Sequence, residues 1–136
     1  MDLKRILRIS MTVFGCTALI LISVFLIGRF GWKLGGFQAC ESAGIEKVQV
    51  NADHVTIDGF YPGSFPEGFI GFYSEEAEGK LWVGFRFSAV FGFFETGDFS
   101  ISIPVEGDIN EVIVKTGTSE YSIWTSDGGQ ISDSEQ

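Results

Sequence analysis

Acid–base and nucleophilic catalysis need a proton acceptor beside a nucleophile, and this chain offers one histidine, His54. It falls in the turn Asn51-Ala52-Asp53-His54, with Asp53 and Asp58 close by in sequence. No nucleophile elbow or other serine-hydrolase spacing surrounds it, so His54 reads as a solvated turn residue. The two cysteines, Cys16 and Cys40, cannot build a structural zinc site with a single histidine. Calcium takes carboxylates, and Glu75, Glu76 and Glu78 are clustered, as are Glu106 and Asp108. Their spacing matches no EF-hand, and both groups read as solvated acidic turns. No glycine-rich phosphate loop occurs. The sequence therefore assigns no catalytic residue, no metal ligand and no cofactor.

The unusual composition lies elsewhere, in fourteen phenylalanines. They gather at Phe60, Phe65, Phe69 and Phe72 and again at Phe85, Phe87, Phe91, Phe93, Phe94 and Phe99. Many alternate with glycine, as in Gly68-Phe69-Ile70-Gly71-Phe72 and Phe91-Gly92-Phe93. Such a pattern suits a small sandwich filled by large rings, with glycine leaving room on the opposite face. The run from Val90 to Phe94 carries no polar side chain. Three phenylalanines there cannot all point inward easily, so Phe91, Phe93 and Phe94 are the expected partner-binding residues.

These residues are carried by a chain in two parts. Ile9 to Ile27 contains no Asp, Glu, Lys, Arg, His or Pro. As a helix it would be about 28 Å long, close to the thickness of a hydrocarbon core. Lys4, Arg5 and Arg8 precede it, while Arg29 and Lys33 follow, a bias that favours a cytoplasmic N-terminus. The expectation is a single-pass anchor with the remainder outside the cytoplasm. A cleaved signal peptide would need a shorter apolar core and a small residue where Phe37 stands before Ala39. Lipidation at Cys16 is disfavoured by bulky Phe14 and by the apolar residues that continue past the cysteine.

Residues 37–136 hold four basic and seventeen acidic side chains, a net of −13, against +4 for residues 1–36. A domain so acidic repels nucleic acid and anionic headgroups, so no nucleic-acid partner is expected. With Cys16 in the apolar span, Cys40 stands alone in the rest of the chain. No internal disulfide is available, and a homodimer through Cys40 is the one covalent option.

Residues 28–45, rich in glycine, read as a juxtamembrane linker. From Glu46 the pattern has period two. Val48 and Val50 precede the Asn51–His54 turn, and Val55 and Ile57 follow it, which makes a hairpin. Phe69–Ser74 and Leu81–Ala89 flank a polar tip at Glu75–Lys80, with Leu81, Val83, Phe85, Phe87 and Ala89 on one face. Phe99, Ile101, Ile103 and Val105 alternate with polar residues, and short strands at Val112–Val114 and Tyr121–Ile123 complete the series. About seven short strands without helical periodicity argue for an all-β antiparallel sandwich of immunoglobulin-like size, preceded by one transmembrane helix. An open barrel is the alternative. The expected organisation is thus a basic tag at 1–8, an anchor at 9–27, a linker at 28–45, the sandwich at 46–125 and a disordered acidic tail at 126–136.

The aromatic–glycine stretch from Val55 to Trp124 resembles small single-pass membrane proteins of Gram-positive bacteria with an all-β ectodomain. That resemblance carries no assigned activity and no functional residues. The function expected is a binding, accessory or sensory subunit with an envelope-protein partner. The alternative from another class is an envelope hydrolase using carboxylates.

Overall fold

Between Leu3 and Phe30 the chain forms one helix, α1, of 28 residues with no buried side chain. The computed structural model describes residues 2–63, 67–92 and 95–131. Four hydroxyls interrupt the apolar surface of α1, and three of them are satisfied within the helix. Thr12, Thr17 and Ser23 donate to the carbonyls of Arg8, Val13 and Leu19 at 2.8–2.9 Å. That pairing removes the cost of carrying an unpaired hydroxyl through an apolar medium. With a mean hydropathy of 2.3 over its most apolar stretch, the helix is a candidate membrane span by length and composition.

The chain divides into two compact units, Met1–Trp32 and Lys33–Gln136. The stretch expected as a linker is structured. A 3-10 helix covers Gly31–Ala39, broken at Gly36, where φ is 54°. Phe37, Cys40 and Ala43 are already buried in the second unit.

Eight strands follow: β1 (Gly44–Val50), β2 (His54–Phe60), β3 (Gly68–Ala77), β4 (Lys80–Ser88), β5 (Phe99–Pro104), β6 (Glu111–Lys115), β7 (Glu120–Thr125) and β8 (Gly129–Gln130). They form a three-stranded sheet in the order β1-β2-β5 and a five-stranded sheet in the order β3-β4-β6-β7-β8. The sandwich-like all-β architecture is the one the alternation implies. Two details differ from the expectation. β4 and β6 are parallel, so the larger sheet is mixed. Its cause is topological: the intervening β5 lies in the other sheet, so the chain crosses over and returns in the same direction. In addition, β8 falls within the tail expected to be disordered from Ser126.

The turns account for the registers. Asn51 N–H donates to His54 O at 2.9 Å and closes the β1–β2 hairpin. The β3–β4 tip is tighter than the six polar residues suggest, because Ala77 pairs with Lys80 and only Glu78 and Gly79 remain in the loop. Both have positive φ, 53° and 74°, the handedness that matches strand twist in a two-residue hairpin.

The core lies between the sheets. Val83 and Phe85 are fully buried, and Leu81 and Phe87 nearly so, which confirms the inward face of β4. Phe99 stacks on Phe69 at 4.7 Å and lies 4.7 Å from Phe85, while Phe87 packs against Tyr61 at 5.1 Å. The rings that make the composition unusual thus fill the sandwich at one end. Val55, Ile57, Val112, Val114 and Ile123 fill the remainder.

Candidate functional site

A polar cluster lies on the outer face of β4, at a place where the period-two pattern points Gly84 and Arg86 away from the core. Beyond Val83 the parallel pairing with β6 ends. Glu41 takes over there, donating its N–H to Phe85 O at 2.7 Å as an isolated bridge. The residues around Glu41 lie flat on the sheet because Gly84 has no side chain. A Cβ at Gly84 would strike Cys40 Sγ and sit 2.8 Å from Lys115 O. Arg86 Nη1 then donates to Glu41 Oε1 at 2.9 Å and to Ala39 O at 3.2 Å. Phe37 completes the segment, edge-on to Tyr73 at 4.9 Å with Lys115 Nζ over its ring at 5.3 Å.

This cluster has the residue types of a nucleophilic site and the electrostatics of a structural one. Burial pushes the Cys40 thiol up to about 11, the guanidinium of Arg86 offsetting only part of it and Glu41 adding to it. Reactive cysteines need the opposite shift, so the thiol is held protonated and inert. Burial likewise raises Glu41 despite Arg86 beside it. Cys40 is 6% exposed, so a disulfide between two copies, the covalent option the sequence leaves open, would require residues 37–43 to leave the sheet. Cys16 is exposed on α1.

His54 has both ring nitrogens engaged by its own turn. Nδ1 faces Asp53 Oδ1 at 2.6 Å, and Nε2 accepts from the Asn51 side-chain amide at 3.0 Å. The same contact holds the Asp53 carboxyl below the usual carboxylate range. Asp58, the other neighbour in sequence, instead accepts from Ser100 Oγ at 2.5 Å. The arrangement orders a turn and leaves no ring nitrogen for a nucleophile.

The two acidic groups flagged for calcium are brought together in space. Glu76 on β3 accepts the N–H groups of Glu106 and Gly107, one on each carboxylate oxygen, both at 3.0 Å. The contact latches β3 to the turn after β5. Beside it lies a surface recess of about 480 Å³, lined by Ser74, Glu76, Glu78, Leu81, Ile103 and Pro104 among others. Among the described residues no three His, Cys, Asp or Glu side chains converge as a metal site requires.

Of the expected partner-binding residues, Phe91 is half-buried in the turn after β4, its N–H capped by Ser88 Oγ at 3.0 Å. Val90 beside it is 70% exposed. Phe93 and Phe94 lie outside the described residues.

Sequence reasoning missed Gln130. Its side-chain amide donates to Glu46 O at 3.1 Å and accepts from Val48 N–H at 3.0 Å. One carboxamide therefore does what a neighbouring strand would do for the free edge of β1, joining the two sheets along that side.

Compared with known proteins, the chain matches no family model, no curated protein and no solved structure.

Proposed function

We propose that the protein is a single-pass membrane protein whose acidic β-domain lies outside the cytoplasm and binds another protein of the cell envelope, as an accessory or sensory subunit. The observation that carries this reading is the contrast between α1 and the β-domain. A 28-residue, mostly apolar helix has no buried residue, while the second unit has a core of its own. A helix of that kind is stable in hydrocarbon rather than in water. The orientation is supported by the basic residues before Ile9 and by the −13 charge of residues 37–136. Binding is supported by Val90, whose exposure places an apolar side chain in the turn beside Phe91. The hydrolase alternative would draw on the carboxylates around the recess, but Glu76 commits both oxygens to backbone N–H groups.

The orientation is tested by placing one cysteine at the β3–β4 tip, Glu78→Cys, in a Cys16→Ser background. Cys40 is shielded, so an impermeant maleimide should label the new thiol on intact cells. Labelling that appears only after lysis reverses the topology. Binding is tested by affinity purification of the full chain from its native membrane. The substitution Val90→Ser with Phe91→Ser should release the partner while the thermal transition is preserved.

A further inference from the structure

The two long sides of the sandwich are finished differently. On one side Gln130 covers the edge of β1, as described above. On the other side lie β5 and β3, the remaining edges of the two sheets. Their proximity is fixed by the stacking of Phe69 on Phe99 and by the Glu76 latch to Glu106 and Gly107. Loop contacts close one end of this side, through Phe69 N–H to Thr96 O at 2.8 Å and Tyr61 N–H to Gly97 O at 3.1 Å. The Glu76 latch closes the other end. Between them no ladder joins β3 to β5 among the described residues, and the recess lies at the latch end of this side.

The hydrogen-bond phase of β5 can be worked out. Val105 N–H bonds Asp53 O, and bonded pairs in an antiparallel ladder recur every second residue. Ile103, Ile101 and Phe99 therefore bond β2 opposite Val55, Ile57 and Gly59. Ser100, Ser102 and Pro104 direct their backbone groups outward, and all three are exposed. The free edge offers the N–H and C=O of two serines, then only a carbonyl at Pro104, which has no N–H to give. An added strand would thus meet about 14 Å of available edge, with the ladder ended at Pro104.

We propose that this edge of β5 accepts an extended segment of a partner protein, and that the segment is basic. The inference rests on the binding reading above and names a second contact surface for it. The recess adjoining the edge is bordered by Glu76, Glu78 and Glu106, with Ala77 and Pro104 between them. A lysine or arginine on the added strand lays its aliphatic stem along those two residues and its cation among the carboxylates. A second copy of this chain is the wrong occupant. Paired β5 edges would bring Asp58, Asp98 and Glu106 of two domains, each of net −13, against one another. Main-chain pairing supplies affinity, and the acidic border selects the sign of the side chains.

The test uses the full chain in detergent micelles and two fluorescein-labelled peptides of alternating valine, one with lysines at the intervening positions and one with glutamates. Fluorescence anisotropy should show binding of the lysine peptide at least tenfold tighter than the glutamate peptide. Ser102→Pro removes one outward N–H without touching the β2 ladder, and should weaken the lysine peptide at least tenfold. Ser102→Ala should leave it unchanged. Equal binding by Ser102→Pro and the parent chain overturns the proposal, because attraction to the acidic surface alone would then explain the signal. If Ser102→Pro does not fold, hydrogen exchange at the Ser102 amide of the parent chain decides: slowing of tenfold or more with saturating lysine peptide supports the edge, and unchanged exchange overturns it. The two readings separate in membrane pull-downs. Envelope proteins retained equally by a folded Ser102→Pro overturn the acceptor edge and leave the binding function standing. A parent chain that retains none overturns the binding function, while the peptide measurements still judge the edge.

Discussion

Phe85→Ala tests the core reading most directly. The ring is fully buried, with Phe99 at 4.7 Å, and the side chain faces the smaller sheet from the centre of β4. Truncation removes the transfer free energy of the ring and leaves a cavity, because the strands on either side are fixed by their ladders. Phe→Ala at such sites costs about 3–5 kcal/mol. Loss of the aromatic pair falls within that range rather than adding to it, since the two effects share atoms. A domain of this size has a total stability of roughly 5–15 kcal/mol, so the variant should be close to unfolding at 37 °C. For a domain of about 100 residues the same loss lowers Tm by roughly 14–24 °C. The assay is a thermal melt of the full chain in micelles, followed by near-ultraviolet circular dichroism, which reports ring packing rather than the helix. Phe85→Leu serves as control and should lose about 1.5 kcal/mol or less. A Phe85→Ala variant that loses less than about 1 kcal/mol would show that the ring has room to leave, and that the sheets do not pack as described.

Three further outcomes are expected. Cys40 has its folded pKa raised from 9.0 to about 11 by burial, so its contribution is full below pH 9 and is lost as pH rises towards 11. The unfolding free energy of the parent chain, from denaturant titrations, should therefore fall by up to about 2–3 kcal/mol more than that of Cys40→Ala across that window; parallel curves would place the thiol in water. Gln130→Ala should cost about 1 kcal/mol and speed hydrogen exchange at Val48, whose N–H loses its acceptor; unchanged exchange would mean that the edge is covered some other way. Glu78 holds φ at 53°, a conformation that asparagine adopts with less strain. Glu78→Asn should raise the unfolding free energy in urea by a few tenths to about 1 kcal/mol, and a drop would show that the Glu78 side chain contributes more than the turn geometry.

The legible parts were those that a local pattern encodes. A charge-free run names a helix, and alternation names the inward face of β4, so Leu81, Val83, Phe85 and Phe87 were readable one by one. The Asn51–His54 turn was readable because its residues favour a reversal. Alternation says which side of a strand is buried but not which sheet the strand joins. For that reason β5 gave no sign of crossing to the smaller sheet, and β4–β6 could not be seen to be parallel. The packing of residues 37–43 was hidden for a related reason: what makes it fit is the missing side chain of Gly84, more than forty residues away. Gln130 was hidden because it acts through a side-chain amide in a stretch whose composition resembles that of an unstructured tail. The candidate surface was half readable. Phe91 was singled out by its sequence, whereas the β5 edge depends on a hydrogen-bond phase that only the paired register supplies.

The distance in sequence between Gln130 and the strand edge it covers has a consequence for biosynthesis. β1 is the first strand to emerge during synthesis, and its outer edge is covered by a residue made some eighty positions later. Throughout that interval Val48 and Glu46 present an open strand edge, the kind of surface that pairs with other nascent chains. Closure of that edge therefore waits until Gln130 has been made. A chain cut back to Thr125 would keep nearly all of its core and still be released with that edge bare. Its defect should appear as aggregation on expression rather than as a low melting temperature.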